Sequence, residues 1–196
     1  MGKKPTKEIT PKQTSPSQLI YQMKVSLIGI KPPIWRRIQV TGDTTLEILH
    51  TILQTAMGWF GGHLYEFVVH GISYGDLSML TEGNVIDEKT VNLTQLISHE
   101  KERFRYLYDF GDGWEHDILV EKILPIEKEI HYPVCTDGRR SCPPEDCGGP
   151  FGYEELLEIL KDLAHPEHEE KFEWLPGDFD PDKFDIEHVN QELGGS

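Results

Sequence analysis

Long apolar runs are missing from this sequence. No stretch approaches the roughly 20 consecutive apolar residues that a membrane-spanning helix needs, so no membrane role is expected. The opening residues, MGKKPTKEITPKQTSPSQLI, carry basic side chains but no apolar segment of the secretory kind, and the expectation is a cytoplasmic protein. Cysteine is scarce: the chain has three, an odd number that argues against a complete disulfide framework. In a reducing compartment they stay thiols. Neither a glycine-rich nucleotide loop nor a kinase catalytic-loop motif accompanies Asp109-Phe110-Gly111, so that triplet is not a kinase signature.

Basic residues are also few, and they are unevenly placed. Residues 1–120 hold 12 Lys/Arg against 14 Asp/Glu, a net of −2, whereas residues 121–196 hold 7 against 20, a net of −13; together these give the formal charge of −15. A surface of that sign repels phosphate backbones. Residues 1–42 run the other way, with eight basic residues against Glu8. Weak, salt-sensitive nucleic-acid binding is the most that is expected, carried by Lys3, Lys4, Lys7 and Lys12.

What is present is strand and helix periodicity. Residues 1–17, rich in Lys, Thr, Pro and Ser, read as a disordered tail. Tyr21, Met23, Val25 and Leu27 alternate with polar residues and predict a strand, and a second follows Pro32-Pro33 at about 34–40. Thr44 and Glu47 have capping-box spacing. Leu46, Leu49, Ile52, Leu53 and Ala56 form the apolar stripe of a helix that Gly58 can end. Further strands are predicted over 63–75, 103–110 and 114–124, the last two joined by Gly111-Asp112-Gly113, with a short helical turn at 91–97. Past residue 127 a cysteine- and proline-rich loop leads to three helical segments. One buries Leu156, Leu157, Leu160 and Leu163, one starts at Pro166, and one is capped by Asp180. The sum is an α+β fold: a mixed β-sheet with one helix packed across it, in β-grasp-like order, plus a C-terminal helical extension. Residues 1–17 form the tail, 18–126 the sheet core, and 127–196 the loop and acidic helices, packed on the core as one structural unit.

Seven motifs, in this order, resemble the plasmid pRiA Orf-three-like family: GIKPPIWRRIQV, TLEILHTILQTAMGW, HLYEF, YDFGDGWEHDI, CPPEDCGGPFGY, HPEH and FDPDKFD. The resemblance covers roughly residues 19–194. Members are also described as passenger TnpR-like proteins of insertion elements. The resemblance implies a compact α+β domain carried on plasmids, mobile elements and chromosomes, and it implies no reaction. The serine-recombinase pattern of a resolvase is absent. Cys135 and Cys142 match the family's pattern, whereas Cys147 stands where the family commonly has an aliphatic residue.

Several clusters could carry chemistry. Cys135, Cys142 and Cys147, with His131 or His116 as a fourth ligand, could bind zinc, although the six residues between the first two exceed the usual two to four. The alternatives are buried thiols in a loop, or a redox-labile Cys135–Cys142 pair. We expect the 131–152 loop to be a clasp that docks the acidic helices onto the sheet. Cys135 and Cys142 are expected close together there, with Arg139 and Arg140 paired to carboxylates. His63, Asp109, Asp112 and His116 could hold a divalent ion or do acid–base work if a hairpin brings Asp109 and His116 face to face. Otherwise the aspartates only satisfy the turn. Trp35, Arg36 and Arg37 could form a stacking and cationic platform for a single strand or a peptide; the alternative is packing, with the arginines paired to the acidic half. Asp178, Asp180 and Asp182 alternate as in calcium loops, but Lys183 and Val189 stand where such a loop needs Gly and Glu, so they read as caps. His165 and His168 read as a solvated pair.

The favoured expectation is a non-catalytic binding or adaptor domain acting through protein partners, with no cofactor. The second is a metal-dependent, hydrolase-like enzyme using His63, Asp109, Asp112 and His116. The third is a weak nucleic-acid binder. The deciding observation is whether His63, Asp109 and His116 converge in one cleft.

Overall fold

The computed structural model describes residues 15–78, 84–175, 177 and 179–194; residues 1–14 of the expected tail, with its four lysines, and Asp178 lie outside them. In chain order the elements are β1 (Leu19–Leu27), β2 (Trp35–Thr41), α1 (Leu46–Met57), β3 (Tyr65–Val69), β4 (Ile72–Gly75), β5 (Val85–Asp87), α2 (Leu93–Leu96), β6 (Arg103–Tyr108), β7 (Trp114–Pro125), β8 (Val134–Arg139), α3 (Gly149–Lys161), α4 (His168–Trp174) and α5 (Ile186–Gly194). The strands form one sheet in the order β5-β4-β3-β6-β7-β1-β2-β8. Neighbours pair antiparallel except β4 and β5, which run parallel. This mixed sheet with its helices is the expected α+β class. No helix among the described residues is long and apolar enough to cross a membrane.

Two strands escape the periodicity argument. β5 is three residues long. β8 reads Val-Cys-Thr-Asp-Gly-Arg, and its Asp and Gly argue against a strand. It forms because β2 would otherwise present an unpaired edge, and a bulge between Arg37 and Ile38 lets the register adjust.

The alternation of β1, β2, β6 and β7 puts Met23, Val25, Ile38, Tyr106 and Ile118 on one buried face. Helix α1 lies across it, burying Leu46, Leu49, Leu53 and Ala56. Its N-cap is Thr45, whose Oγ1 accepts from Ile48 N at 3.3 Å, rather than Thr44; Gly58, at φ 84°, ends it. Leu53 is only 1% exposed. Leu53→Ala is therefore expected to cost about 2–5 kcal/mol in urea unfolding. A loss under about 1 kcal/mol would show that Leu53 is not part of a packed core.

The C-terminal helices depart from expectation in detail. Helix α3 buries Tyr153, Leu156 and Ile159, with Leu157 and Leu160 partly covered. It stops at Lys161, which leaves Leu163 outside the helix and 83% exposed. Helix α4 begins at His168 rather than Pro166. Asp180 caps only a turn, accepting from Asp182 N at 2.9 Å, and it is Asp185 whose Oδ1 accepts from His188 N at 3.0 Å at the start of α5. The chain spends residues 179–185 crossing β8. Ser141 Oγ donates to Asp180 O at 2.7 Å, and Phe184 packs where a side chain on Gly138 would stand. Asn190 then fixes α5 to the sheet edge, accepting from Cys135 N at 2.7 Å and donating to Cys135 O at 2.8 Å. Arg140 pairs with Asp182.

Candidate functional site

Three connections meet at one end of the sheet: residues 58–64 after α1, the 109–113 turn between β6 and β7, and residues 143–149 entering α3. Trp59 Nε1 donates to Pro143 O at 2.8 Å, Asp109 N to Leu64 O at 2.8 Å, and Gly148 N to Asp112 Oδ2 at 3.1 Å. Gly149 takes φ 69°, and a Cβ there would overlap Asp112 O, so this close approach requires glycine.

The meeting places His63 between two carboxylates. Its Nδ1 lies 3.6 Å from Asp109 Oδ2 and its Nε2 lies 3.6 Å from Asp146 Oδ1. Neither distance is a hydrogen bond. One ligand atom from each residue lies within 4.8 Å of the other two, and among the described residues this is the group of three or more His, Cys, Asp or Glu with that geometry. Ligands of a tetrahedral zinc stand roughly 3.4 Å apart, given metal–ligand bonds of about 2.1 Å. Asp109 divides its oxygens: Oδ1 accepts from Gly111 N at 2.9 Å and Asp112 N at 3.3 Å, and Oδ2 faces His63. Both aspartates have left-handed backbones, φ 55° at Asp109 and 59° at Asp146. Asp tolerates that conformation, but it is uncommon and concentrates at functional sites.

A polar and aromatic layer lies beneath. The ring of Tyr108 stands edge-on to His63 with centroids 5.7 Å apart, and its hydroxyl donates to Glu145 Oε1 at 2.5 Å. Burial, then the Glu145 carboxylate, raise that phenol well above its ordinary pKa. Trp59 stacks on Tyr108 at 5.2 Å. Gln54 Nε2 donates to Tyr106 Oη at 2.8 Å, and the Tyr106 hydroxyl lies 2.7 Å from His50 Nδ1. Burial lowers the His50 pKa to about 4, so its ring is neutral. Gln54 Oε1 accepts from Gly61 N at 3.0 Å, carrying the network into the 58–64 loop.

The residues expected to cooperate are thus partly separated. His63 and Asp109 come together, and His116 does not join them. The five-residue turn sets a register that pairs Tyr106 with His116, three rungs down the hairpin from Asp109. His116 shares the buried face with Trp114 and Ile118, is fully buried, and directs Nδ1 at the carbonyls of Tyr106 and Trp114. Asp112 ties the turn to Gly148 instead of facing His63. Asp146 takes the third place, and its signal in sequence is faint: an acidic pair inside a Pro- and Gly-rich turn. His50 and Gln54 also escape notice, although their spacing of four continues the buried face of α1.

The cysteines and His131 form no such group among the described residues. Cys135 Sγ faces Asp137 O at 3.4 Å, and Cys142 Sγ lies 3.1 Å from Met57 Sδ. Burial raises all three thiols, Cys147 to about 12 with help from Asp112 and Asp146, so they stay protonated. Cys142→Ser should cost about 1–3 kcal/mol, because a hydroxyl would enter a site built for sulfur; equal unfolding midpoints would contradict it. Of Trp35, Arg36 and Arg37, only Arg36 leaves the expected platform: the Arg37 guanidinium lies 5.2 Å and Lys24 Nζ 4.5 Å from the Trp35 ring centroid. Arg36 lies on the buried face with Ile38 and Val40 and is 3% exposed, while Arg37 pairs with Glu121 at 2.7 Å and Asp137 at 2.9 Å.

These features define a class: a mixed α+β domain whose eight-stranded sheet, covered by one helix, gathers a His/Asp/Asp cluster where three connections meet. The chain belongs to the plasmid pRiA4b ORF-3-like protein family, whose model matches residues 19–188. It is 37% identical over 176 residues to the uncharacterized protein y4hQ of Sinorhizobium fredii (strain NBRC 101917 / NGR234), covering 89% of this chain and 90% of that one. The crystal structure of the protein of unknown function MM3350 from Methanosarcina mazei Go1 has the same fold, with TM-score 0.79 and 42% identity over 86% of this chain and 96% of that chain.

Proposed function

We propose that this protein is a metal-dependent enzyme of hydrolytic type whose divalent ion is held by His63, Asp109 and Asp146. The observation that carries the reading is the convergence of these three side chains from three separate connections. Three protein ligands leave positions open for water and substrate, as catalytic zinc sites do. A bound ion lowers the pKa of its water toward neutrality and supplies a nucleophile. The mixed nitrogen and oxygen donor set suits zinc or manganese better than calcium.

The test is elemental analysis and calorimetry of the full chain loaded with zinc or manganese. One ion per chain is expected. His63→Ala, Asp146→Asn and Asp109→Asn should each weaken binding by at least about 100-fold; Asn at 109 keeps the turn-capping oxygen. Cys135→Ser/Cys142→Ser should retain the ion. A wild-type protein without micromolar affinity for either metal, or loss of the ion only in the cysteine variant, would overturn the proposal.

A second reading, a binding or adaptor role without catalysis, is favoured by Phe60 and Phe151. They are 92% and 84% exposed on two of the three connections or just beyond them. Exposed large apolar side chains of this kind mark interaction surfaces. The absence of metal binding would leave this reading in place.

A further inference from the structure

Beyond that reading, we propose that the cavity between α3 and α4 receives a basic side chain, lysine or arginine, of a polypeptide partner. The cavity measures ≈ 320 Å³, within the range of ligand sites. Its floor is apolar, formed by the buried Leu156 and Ile159. One wall is Trp174, an indole left 46% exposed. The lining carries four carboxylates: Asp146 from the loop before α3, Glu155 from α3, Glu167 just ahead of α4, and Glu170 from α4. Lys171 is the one cation in the lining; with Asp146 committed to the ion, Glu155, Glu167 and Glu170 less this ammonium leave a net of −2.

An aliphatic floor, an aromatic wall and a carboxylate rim match a long-stemmed cation. The methylenes of lysine or arginine cover Leu156 and Ile159, the charged head reaches the rim, and the indole face attracts it. Neutral or anionic ligands would meet uncompensated negative charge. A polypeptide suits the site better than a free amine because the acidic field extends far past the cavity. Residues 121–196 carry a net of −13, so several basic residues of one partner find carboxylates together. Asp146 lies both in this lining and beside His63, so a bound basic residue would sit next to the candidate centre.

The experiment titrates the full chain with an acetylated, amidated peptide of alternating Gly and Arg, followed by Trp fluorescence and calorimetry. A peptide with citrulline at each Arg is the uncharged control. Both are run with and without chelator. Binding of the arginine peptide is expected to be at least tenfold tighter than that of the citrulline peptide and to weaken with salt. Glu155→Gln/Glu170→Gln should weaken it at least tenfold at unchanged melting temperature, because both residues are exposed. Lys171→Glu should tighten it. Equal affinity for the two peptides, or no loss in the Glu155/Glu170 variant, would overturn the proposal. Arginine amide binding as tightly as the peptide would overturn its assignment to a polypeptide. Asp109→Asn should leave peptide binding intact while removing the ion, so failure of the metal reading and failure of this one are distinguishable.

Discussion

Acidification from pH 6.5 to 4 is expected to cost the fold about 5–6 kcal/mol. Two histidines carry the effect. Burial lowers the pKa of His50 and of His116 from 6.5 to about 4. Their neutral rings are built into the structure, His50 against the Tyr106 hydroxyl and His116 under Trp59. The unfolded chain takes up a proton near pH 6.5 that the folded chain refuses until about 4, so stability is full above 6.5 and falls as the pH drops through that window. At 1.36 kcal/mol per pH unit, each ring accounts for roughly 3 kcal/mol. Glu88 works the other way. Burial raises its carboxyl pKa, so its contribution is greatest at low pH and is lost as the pH rises through that value, offsetting part of the loss. Urea midpoints measured across the window check the claim, and His116→Gln should remove about half of the slope. Midpoints that stay level from 6.5 to 4 would refute it.

Removing Arg36 should be the most damaging single substitution at the C-terminal seam, with a loss of about 3–5 kcal/mol for Arg36→Ala. The guanidinium donates to Ala56 O at 2.8 Å, Trp35 O at 2.9 Å and Arg139 O at 3.0 Å, and reaches Cys142 Sγ at 3.3 Å. It also lies over the Phe184 ring, 4.1 Å from its centroid. One side chain therefore joins β2, the end of α1, β8 and the crossing segment before α5. Hydrogen bonds from a charged donor contribute about 1.5–3 kcal/mol each, and the bond to the Ala56 carbonyl is buried. Arg36→Lys should recover only part of the loss, because an ammonium cannot span these acceptors in the fork geometry of a guanidinium. A loss below about 1 kcal/mol for Arg36→Ala would show that the seam does not depend on it.

Arg36 also shows how much was legible beforehand. Arg36, Ile38 and Val40 stand two apart in a strand, so alternation alone places Arg36 on the core face. Its charge suggests a surface platform instead, and alternation prevails because its donors find carbonyls inside. His116 repeats the lesson, on the same face as Trp114 and Ile118. In both cases a residue's chemistry pointed outward and its strand phase pointed inward.

By itself the sequence determined the local elements that rest on contacts a few residues apart. These are the α1 stripe from Leu46 to Ala56 with Gly58 at its end, the alternating faces of β1, β2, β6 and β7, and the turn at Gly111-Asp112-Gly113. Period and turn chemistry are properties of neighbouring residues, so they can be read in one dimension. The acidic character of the last third was equally plain. Only the tertiary structure decided that β8 completes the sheet and that Asp146, not His116, joins His63 and Asp109. Those three lie 46 and 37 residues apart, and their meeting depends on hairpin register, on Gly149 allowing α3 to approach the Asp112 turn, and on two aspartates held at positive φ. Each is the outcome of packing between distant segments, which no local pattern encodes.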